Sequence, residues 1–151
     1  MPEPAPTESP SLLRRLAAMM YDTFLVLPLI MAAVAIAMGL QAAVVGSQSI
    51  ENEGLNPQLV QLVALVTVMG FYTIFWRQRG QTLGMQAWRV QLQSEDGGRL
   101  SVPRCLLRCL GAIISLLCFG AGYWWCLIDK NNRYWHDYLS RSELILLPKK
   151  N

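Results

Sequence analysis

Apolar residues are concentrated in three long runs of the chain, which are separated by shorter polar stretches. The runs cover about 16–45, 59–76 and 105–128. A helix crosses the hydrocarbon core of a bilayer with roughly 20 apolar residues, because it rises about 1.5 Å per residue. The pattern therefore predicts an all-α integral membrane protein with three to four transmembrane or re-entrant helices.

The third run is interrupted by Gly120 and Gly122, which predict a break in the helix at about 120–122. One plain crossing would leave the basic C-terminal residues on the outer face of the membrane, whereas basic residues are usually retained in the cytoplasm. A re-entrant pair of short helices would keep them inside. We favour the re-entrant pair over the single crossing.

In the connection that follows the second run, apolar residues recur with a different spacing. Trp88, Val90 and Leu92 alternate with polar residues, and an Asp-Gly-Gly turn comes shortly after them. This pattern is typical of a β-hairpin, and we expect a small cytoplasmic one at about 87–102. The tail segment SELILLP would add a strand to it if the tail lies on the same side. The alternative is an interfacial loop held by Trp88.

The two ends of the chain lack such patterns. The leader MPEPAPTESPS has four prolines, two glutamates and few apolar residues, so we expect a disordered tail over 1–12. A second short tail covers 148–151. The first apolar run is too long for the core of a cleaved signal peptide. We therefore expect one membrane domain over 13–147.

Composition agrees with a membrane location and narrows the choice of partners. Of the 151 residues, 15% are charged and 53% are hydrophobic, whereas about 25% of residues are charged in a typical soluble domain. The net charge of +3 is small, and the basic residues lie beside the apolar runs instead of in a separate arm. We expect the lipid bilayer as a partner and no nucleic acid.

The basic residues also predict an orientation. Arg14 and Arg15 flank the first run, the loop GSQSIENEGLNP has no basic residue, and the connection at 77–104 has five arginines. Basic residues are retained on the cytoplasmic side of a membrane. The N-terminus is therefore expected in the cytoplasm.

One carboxylate interrupts the first apolar run, at Asp22. An ionised carboxylate near the bilayer centre costs roughly 2.5–3.5 kcal/mol, so it should face protein, water or a cation. Arg15 lies two helical turns earlier on the same face, too far away to pair directly. We expect Arg104, Arg108 or the basic tail to supply the partner. Two roles stay open for Asp22: a group that binds a proton or cation, and one half of a structural ion pair.

The segment GQTLG places Gly80 and Gly84 four residues apart. Such a spacing allows close packing of helices. Gly80 also follows a pair of arginines at the end of the second run, a position typical of a helix cap. We expect these glycines to serve helix packing or capping.

Little in the chain indicates a metal or catalytic site. The four cysteines lie in the third run without the Cys-x-x-Cys spacing of common zinc and redox sites. The one histidine, His136, precedes Asp137, a neighbour that favours partial protonation near neutral pH, and no nucleophile is assigned to it. We expect no metal, no cofactor and no enzyme activity.

Four segments occur in the order found in a known family. RRLAAMMYD, GQTLGMQAWRVQL, GGRLSVPRCLLR and DKNNRYWHDYLS resemble the RDD family of bacterial membrane proteins. That family is named for an arginine and an aspartate in its first helix and for a further aspartate. The resemblance assigns these positions to Arg15 or Arg14, to Asp22 and to Asp137, with Asp129 as a second candidate.

The resemblance extends from residue 14 to about 147 and implies a small multi-spanning protein of the bacterial inner membrane. Transport has been proposed for the family, and cation/proton exchange is reported for some members. Three or four short segments hardly enclose a pathway, so a carrier would be a homo-oligomer. We expect transport of protons, sodium or another small solute. The alternative is a membrane scaffold that docks protein partners through its hairpin and tail.

Overall fold

The structure is a computed structural model that describes residues 9–46 and 56–148. Residues 1–8 and 149–151, which belong to the predicted tails, lie outside the described residues. The same is true of most of the acidic loop between the first two apolar runs.

Two long helices form from the first two apolar runs. Helix α1 is Leu12–Val45 and helix α2 is Pro57–Arg79. Both are long and apolar enough to cross a membrane, and many of their large apolar side chains are exposed. Helix α1 begins earlier than about residue 16 because the Ser11 carbonyl already accepts the Arg15 N–H, at 3.2 Å. The first two predicted spans are therefore confirmed as helices.

A short helix and a strand follow α2. Helix α3 is Leu83–Ala87, with Thr82 as its N-cap, and strand β1 is Val90–Ser94. Gly80 follows α2 in the left-handed conformation, with φ of +67°, and its N–H donates to the Trp76 carbonyl at 3.0 Å. Glycine adopts this conformation readily because it has no Cβ. Gly80 therefore caps the C-terminus of α2.

The third apolar run forms a bent pair of helices. Helix α4 is Val102–Leu117, helix α5 is Ala121–Trp124, and a single 3-10 turn, Trp125–Leu127, continues it. The two parts are bent by 106°. Gly120 lies at the bend with φ of +76°. The predicted break is thus present, slightly before 120–122, while the re-entrant path through a membrane stays a prediction.

The C-terminal part of the chain forms the second strand of a small sheet. Helix α6, Trp135–Ser140, is followed by strand β2, Ser142–Leu146. Strand β2 pairs with β1 in the antiparallel direction, with Leu144 opposite Leu92 at the centre. A small two-stranded sheet is therefore confirmed.

The hairpin predicted at about 87–102 is wrong in its pairing. The glycines do make a turn after β1, in which the Ser94 N–H donates to the Gly98 carbonyl at 2.8 Å. The segment after this turn is too short to pair, because α4 begins at Val102 with Pro103 in its first turn, and proline has no N–H to donate. The tail strand occupies the edge of β1 instead.

The described residues fall into two compact units. The first unit includes the residues up to Asp22 and from Tyr72 onward, and the second is the described part of Thr23–Phe71. Apolar side chains of β1 and α4 are buried in the first unit. Ten charged or polar described residues are buried as well: Arg15, Asp22, Thr82, Ser94, Arg108, Ser115, His136, Asp137, Ser140 and Ser142. Buried charges are rare unless they have partners, so the partners define the candidate site.

Candidate functional site

The carboxyl group of Asp22, on α1, is enclosed in the first unit. Only 2% of the residue is exposed. Its Oδ2 accepts a hydrogen bond from the Thr82 hydroxyl at 2.5 Å, and its Oδ1 accepts one from the Gly84 N–H at 2.9 Å. We call these three residues the Asp22 cluster. The cluster joins α1 to the start of α3, although Asp22 and Thr82 are 60 residues apart in the chain.

The segment GQTLG supplies both donors because α3 begins within it. Thr82 is the N-cap of α3, and its hydroxyl oxygen also accepts the Met85 N–H at 3.2 Å. The first N–H groups of a helix have no partner inside the helix, which leaves the Gly84 N–H for Asp22. A Cβ added at Gly84 would lie 2.8 Å from Asp22 Oδ1 and closer still to the Ala18 carbonyl oxygen. Gly84 therefore permits the close approach of α3 to α1.

No cation pairs with Asp22 in the part of the chain that the structure describes. The arginines expected to reach it have other partners: Arg104 donates to Ser94 Oγ at 2.6 Å, and Arg108 pairs with Asp137. The expected ion pair between Asp22 and these arginines is therefore wrong. The physical reason is that α6 packs on α4 and brings a nearer carboxylate to Arg108, while neutral donors satisfy Asp22.

A second buried cluster holds α4, α6 and β2 together. Arg108 forms an ion pair with Asp137 and donates to the Ser142 hydroxyl at 2.8 Å. Its guanidinium carbon lies 5.2 Å from the centroid of the Trp76 ring. Asp137 also accepts the Tyr134 N–H at 2.9 Å as part of a capping box at the start of α6. Removing one partner of such a buried pair is strongly destabilising, because the other charge is left in the core without a partner.

His136 is uncharged beside this ion pair. Burial and the charge of Arg108 lower the pKa of His136 to about 3, although its Nε2 lies 3.8 Å from Asp137 Oδ1. The expectation of partial protonation near neutral pH is therefore wrong. The cost of removing a charged imidazole from water exceeds the attraction of the neighbouring carboxylate.

Arg15 is buried and has no carboxylate partner among the described residues. Its Nε donates to the Pro10 carbonyl oxygen at 2.9 Å, and its guanidinium carbon lies 5.0 Å from the centroid of the Tyr134 ring. Cation–π contact with a tyrosine ring is favourable. Arg14, the other candidate arginine, is only partly buried. Neither arginine forms an ion pair with another described residue.

Asp129 lies in a surface turn, apart from both clusters. Its Oδ2 accepts the Arg133 N–H at 2.9 Å, and both of its carboxylate oxygens lie 2.9 Å from the Tyr138 hydroxyl, which donates to them. The hydrogen bond from the Arg133 backbone is the main reason that the pKa of Asp129 is lowered. The structure therefore gives Asp129 a role in a turn and Asp137 a role in the buried ion pair.

Two hydroxyl residues, Thr82 and Ser142, complete the clusters and were not among the predicted site residues. The N-cap position of Thr82 before an apolar helix is the one signal that points to it. Ser142 gives no comparable signal. Within residues 9–46 and 56–148, no three or more histidine, cysteine or acidic side chains are grouped so as to hold a metal ion.

Comparison with known proteins supports the resemblance of the four segments. The RDD family model matches residues 9–141, which is most of the chain and includes Arg15, Asp22, Arg108 and Asp137. Searches of curated proteins and of solved structures gave no match. Because the family model covers far more than half of the chain, the protein belongs to the RDD family.

Proposed function

We propose that this RDD protein exchanges protons for a small cation such as Na⁺ across a membrane, with the Asp22 carboxyl as the exchanging group. One observation carries the proposal: Asp22 is buried in a candidate membrane span and has no cation partner among the described residues. An ionised carboxylate in such a place is costly. Taking up a proton or binding a cation relieves that cost, and these are the two states between which an exchanger alternates.

The Asp22 cluster suits both states. A threonine hydroxyl has one donor and two acceptor lone pairs. When Asp22 is ionised, the Thr82 hydroxyl donates to Oδ2, which lies 2.5 Å away. When Asp22 is protonated, the carboxyl donates to the hydroxyl, which still accepts the Met85 N–H. The carboxyl can therefore change its protonation state and keep its neighbours.

A pathway across the membrane needs more helices than the described part of one chain supplies. The first and second candidate spans and the bent pair are too few to enclose a route. We therefore propose a homo-oligomer in the bacterial inner membrane, with the N-terminus in the cytoplasm. The arginines before Asp22 and those of the 77–104 connection support this orientation, because cytoplasmic segments retain basic residues.

Flux measurements in proteoliposomes test the proposal. In the wild-type protein, an imposed proton gradient should drive transport of Na⁺, K⁺ or Li⁺ in the opposite direction. Asp22→Asn should lower the rate at least about tenfold, because the amide keeps the shape of the carboxyl but neither takes up a proton nor neutralises a cation. Asp129→Asn is the matched control and should keep the wild-type rate.

Size-exclusion chromatography in detergent checks that each variant is folded before reconstitution. Wild-type rates in Asp22→Asn, or a wild-type protein that exchanges none of the three cations, would contradict the proposal.

The alternative function is a membrane scaffold that docks protein partners through the sheet and tail. The observation that favours it is that Arg108 of α4 pairs with Asp137 of α6 and donates to Ser142 of the tail strand, so the sheet is tied to α4 and α6. A scaffold predicts no cation flux and no effect of Asp22→Asn beyond a change in stability. The flux measurement therefore separates the two functions.

A further inference from the structure

A polar cavity of about 570 Å³ opens in the first unit, and none of the Asp22 cluster lines it. Six lining residues carry hydrogen-bond donors: Ser9, Arg15, Lys130, Asn131, Asn132 and Arg133. We call this cavity the Arg15 pocket. Ligand sites commonly have volumes of about 300–1,000 Å³, so the Arg15 pocket has room for a small anion with some of its water.

Arg15 lines this pocket and carries a donor without a partner among the described residues. The residue is 5% exposed, and its Nη1 has no hydrogen-bond partner among the described residues. Its Nε is occupied by the Pro10 carbonyl, at 2.9 Å. A buried guanidinium without a counter-charge is unfavourable unless a ligand supplies acceptors.

The charges around the pocket favour an anion. Lys130 is exposed and forms no ion pair with the described residues. Glu143, the carboxylate on the lining, is paired with Arg133 at 2.9 Å, and Arg133 has a second carboxylate partner. The neighbouring Asp129 accepts the Arg133 N–H. The lining therefore has three cations, Arg15, Lys130 and Arg133, and one carboxylate, Glu143, and neither Arg15 nor Lys130 forms an ion pair with the described residues.

The arrangement of these groups fits a phosphoryl group. Several acceptor oxygens match the planar fork of an arginine and the point charge of a lysine. Arg15 also lies in the first turn of α1, where the aligned peptide dipoles add partial positive charge. Asn131 and Asn132 supply neutral donors, and the Ser9 hydroxyl beside them donates to the Asn131 carbonyl oxygen at 3.5 Å. We infer that the Arg15 pocket binds a phosphoryl anion, from free phosphate or from the headgroup of an anionic phospholipid.

Two binding measurements on the full chain distinguish the sources. Calorimetry with inorganic phosphate, on the protein in a phosphate-free neutral detergent, detects a free anion. Native mass spectrometry of protein from nanodiscs containing phosphatidylglycerol or phosphatidylcholine detects the headgroup, through preferential retention of phosphatidylglycerol. Either result supports the phosphoryl site and names its source. Binding of neither phosphate nor phosphatidylglycerol overturns the inference.

Substitutions test whether the phosphoryl anion binds in the Arg15 pocket. Lys130→Gln should weaken it about five- to tenfold, because one charge-assisted contact is lost, and this exposed residue does not contribute to the core. Arg99→Gln is the matched control, since Arg99 is exposed and does not line the pocket. Arg15→Gln should weaken binding further, and Asp22→Asn should keep it, which separates this site from the exchange site. Equal affinity in Lys130→Gln and Arg99→Gln overturns the inference.

Discussion

His136 and Asp137 are neighbours in the chain but behave differently in the core. Asp137 is paired with Arg108, whereas His136 is enclosed by aromatic rings, with the ring centroids of Tyr123 and Tyr134 at 5.1 and 5.0 Å from its own. These rings exclude water, and the positive charges of Arg108 and Arg15 oppose a proton on the imidazole. Asp137 alone favours that proton, and its effect is smaller.

The stability of the protein should therefore fall as the pH drops below 6.5. The pKa of His136 is about 3 in the folded chain and 6.5 in the unfolded chain. Between these two values the unfolded chain binds more protons, so acid favours unfolding. At pH 5 the loss of folding free energy from His136 is about 2 kcal/mol.

Denaturant unfolding in detergent, at pH 7 and pH 5, measures this effect. The difference in folding free energy between wild type and His136→Asn should shrink by about 2 kcal/mol at the lower pH. Other titrating groups are common to both proteins and cancel in the comparison. An unchanged difference would show that His136 takes up protons as easily when folded as when unfolded.

At the scale of single residues, the burial of Asp22 could be predicted from the sequence, but its hydrogen-bond partners could not. The cost of a charge in lipid predicts that Asp22 is sheltered, and the structure agrees. Its donors, Thr82 and Gly84, come from a segment 60 residues away, and nothing local to Asp22 indicates where α3 lies. Charge alone predicts an arginine as the partner of Asp22, yet Arg108 pairs with Asp137.

Among the elements, the approach of α3 to α1 depends on one glycine. Gly84→Ala would place a Cβ against Asp22 Oδ1 and against the Ala18 carbonyl. Backbone cannot move aside as a flexible side chain does, so α3 would have to shift and weaken the Gly84 N–H bond. The free energy of unfolding should fall by about 1–3 kcal/mol.

Gly98→Ala is the matched control for this substitution. A Cβ added at Gly98 meets no atom within 4 Å, so its stability should stay close to that of the wild type. Thermal unfolding in the same detergent compares the variants. A melting temperature of Gly84→Ala equal to that of Gly98→Ala would contradict the close packing of α3 on α1.

Apolar runs predicted the long helices well because length and hydropathy alone determine whether a helix suits a bilayer. The break in the third run was also predictable, since Gly120 adopts a conformation that other residues avoid. The strand that pairs with β1 could not be predicted in this way. Its partner lies 50 residues away, at Gln93 opposite Glu143 for example, whereas the nearby glycine turn suggested a local hairpin.

At the scale of the whole molecule, three charged sites in the described chain differ in how far opposite charges compensate each other. The charges of Arg108 and Asp137 compensate each other inside the first unit. Among the described residues, the Asp22 carboxyl has neutral hydrogen-bond partners only, and cations outnumber carboxylates on the lining of the Arg15 pocket. We therefore expect the first site to govern stability, the second to exchange ions and the third to bind an anion.

The most direct test of the central claim is proton release from the purified protein when Na⁺, K⁺ or Li⁺ is added at fixed pH. A cation that binds at Asp22 must displace its proton, so a weakly buffered solution with a pH indicator should record up to about one proton per chain. Asp129→Asn should release as much as the wild type, and Asp22→Asn should release none. Equal release from wild type and Asp22→Asn, or no release from the wild type, would contradict the account.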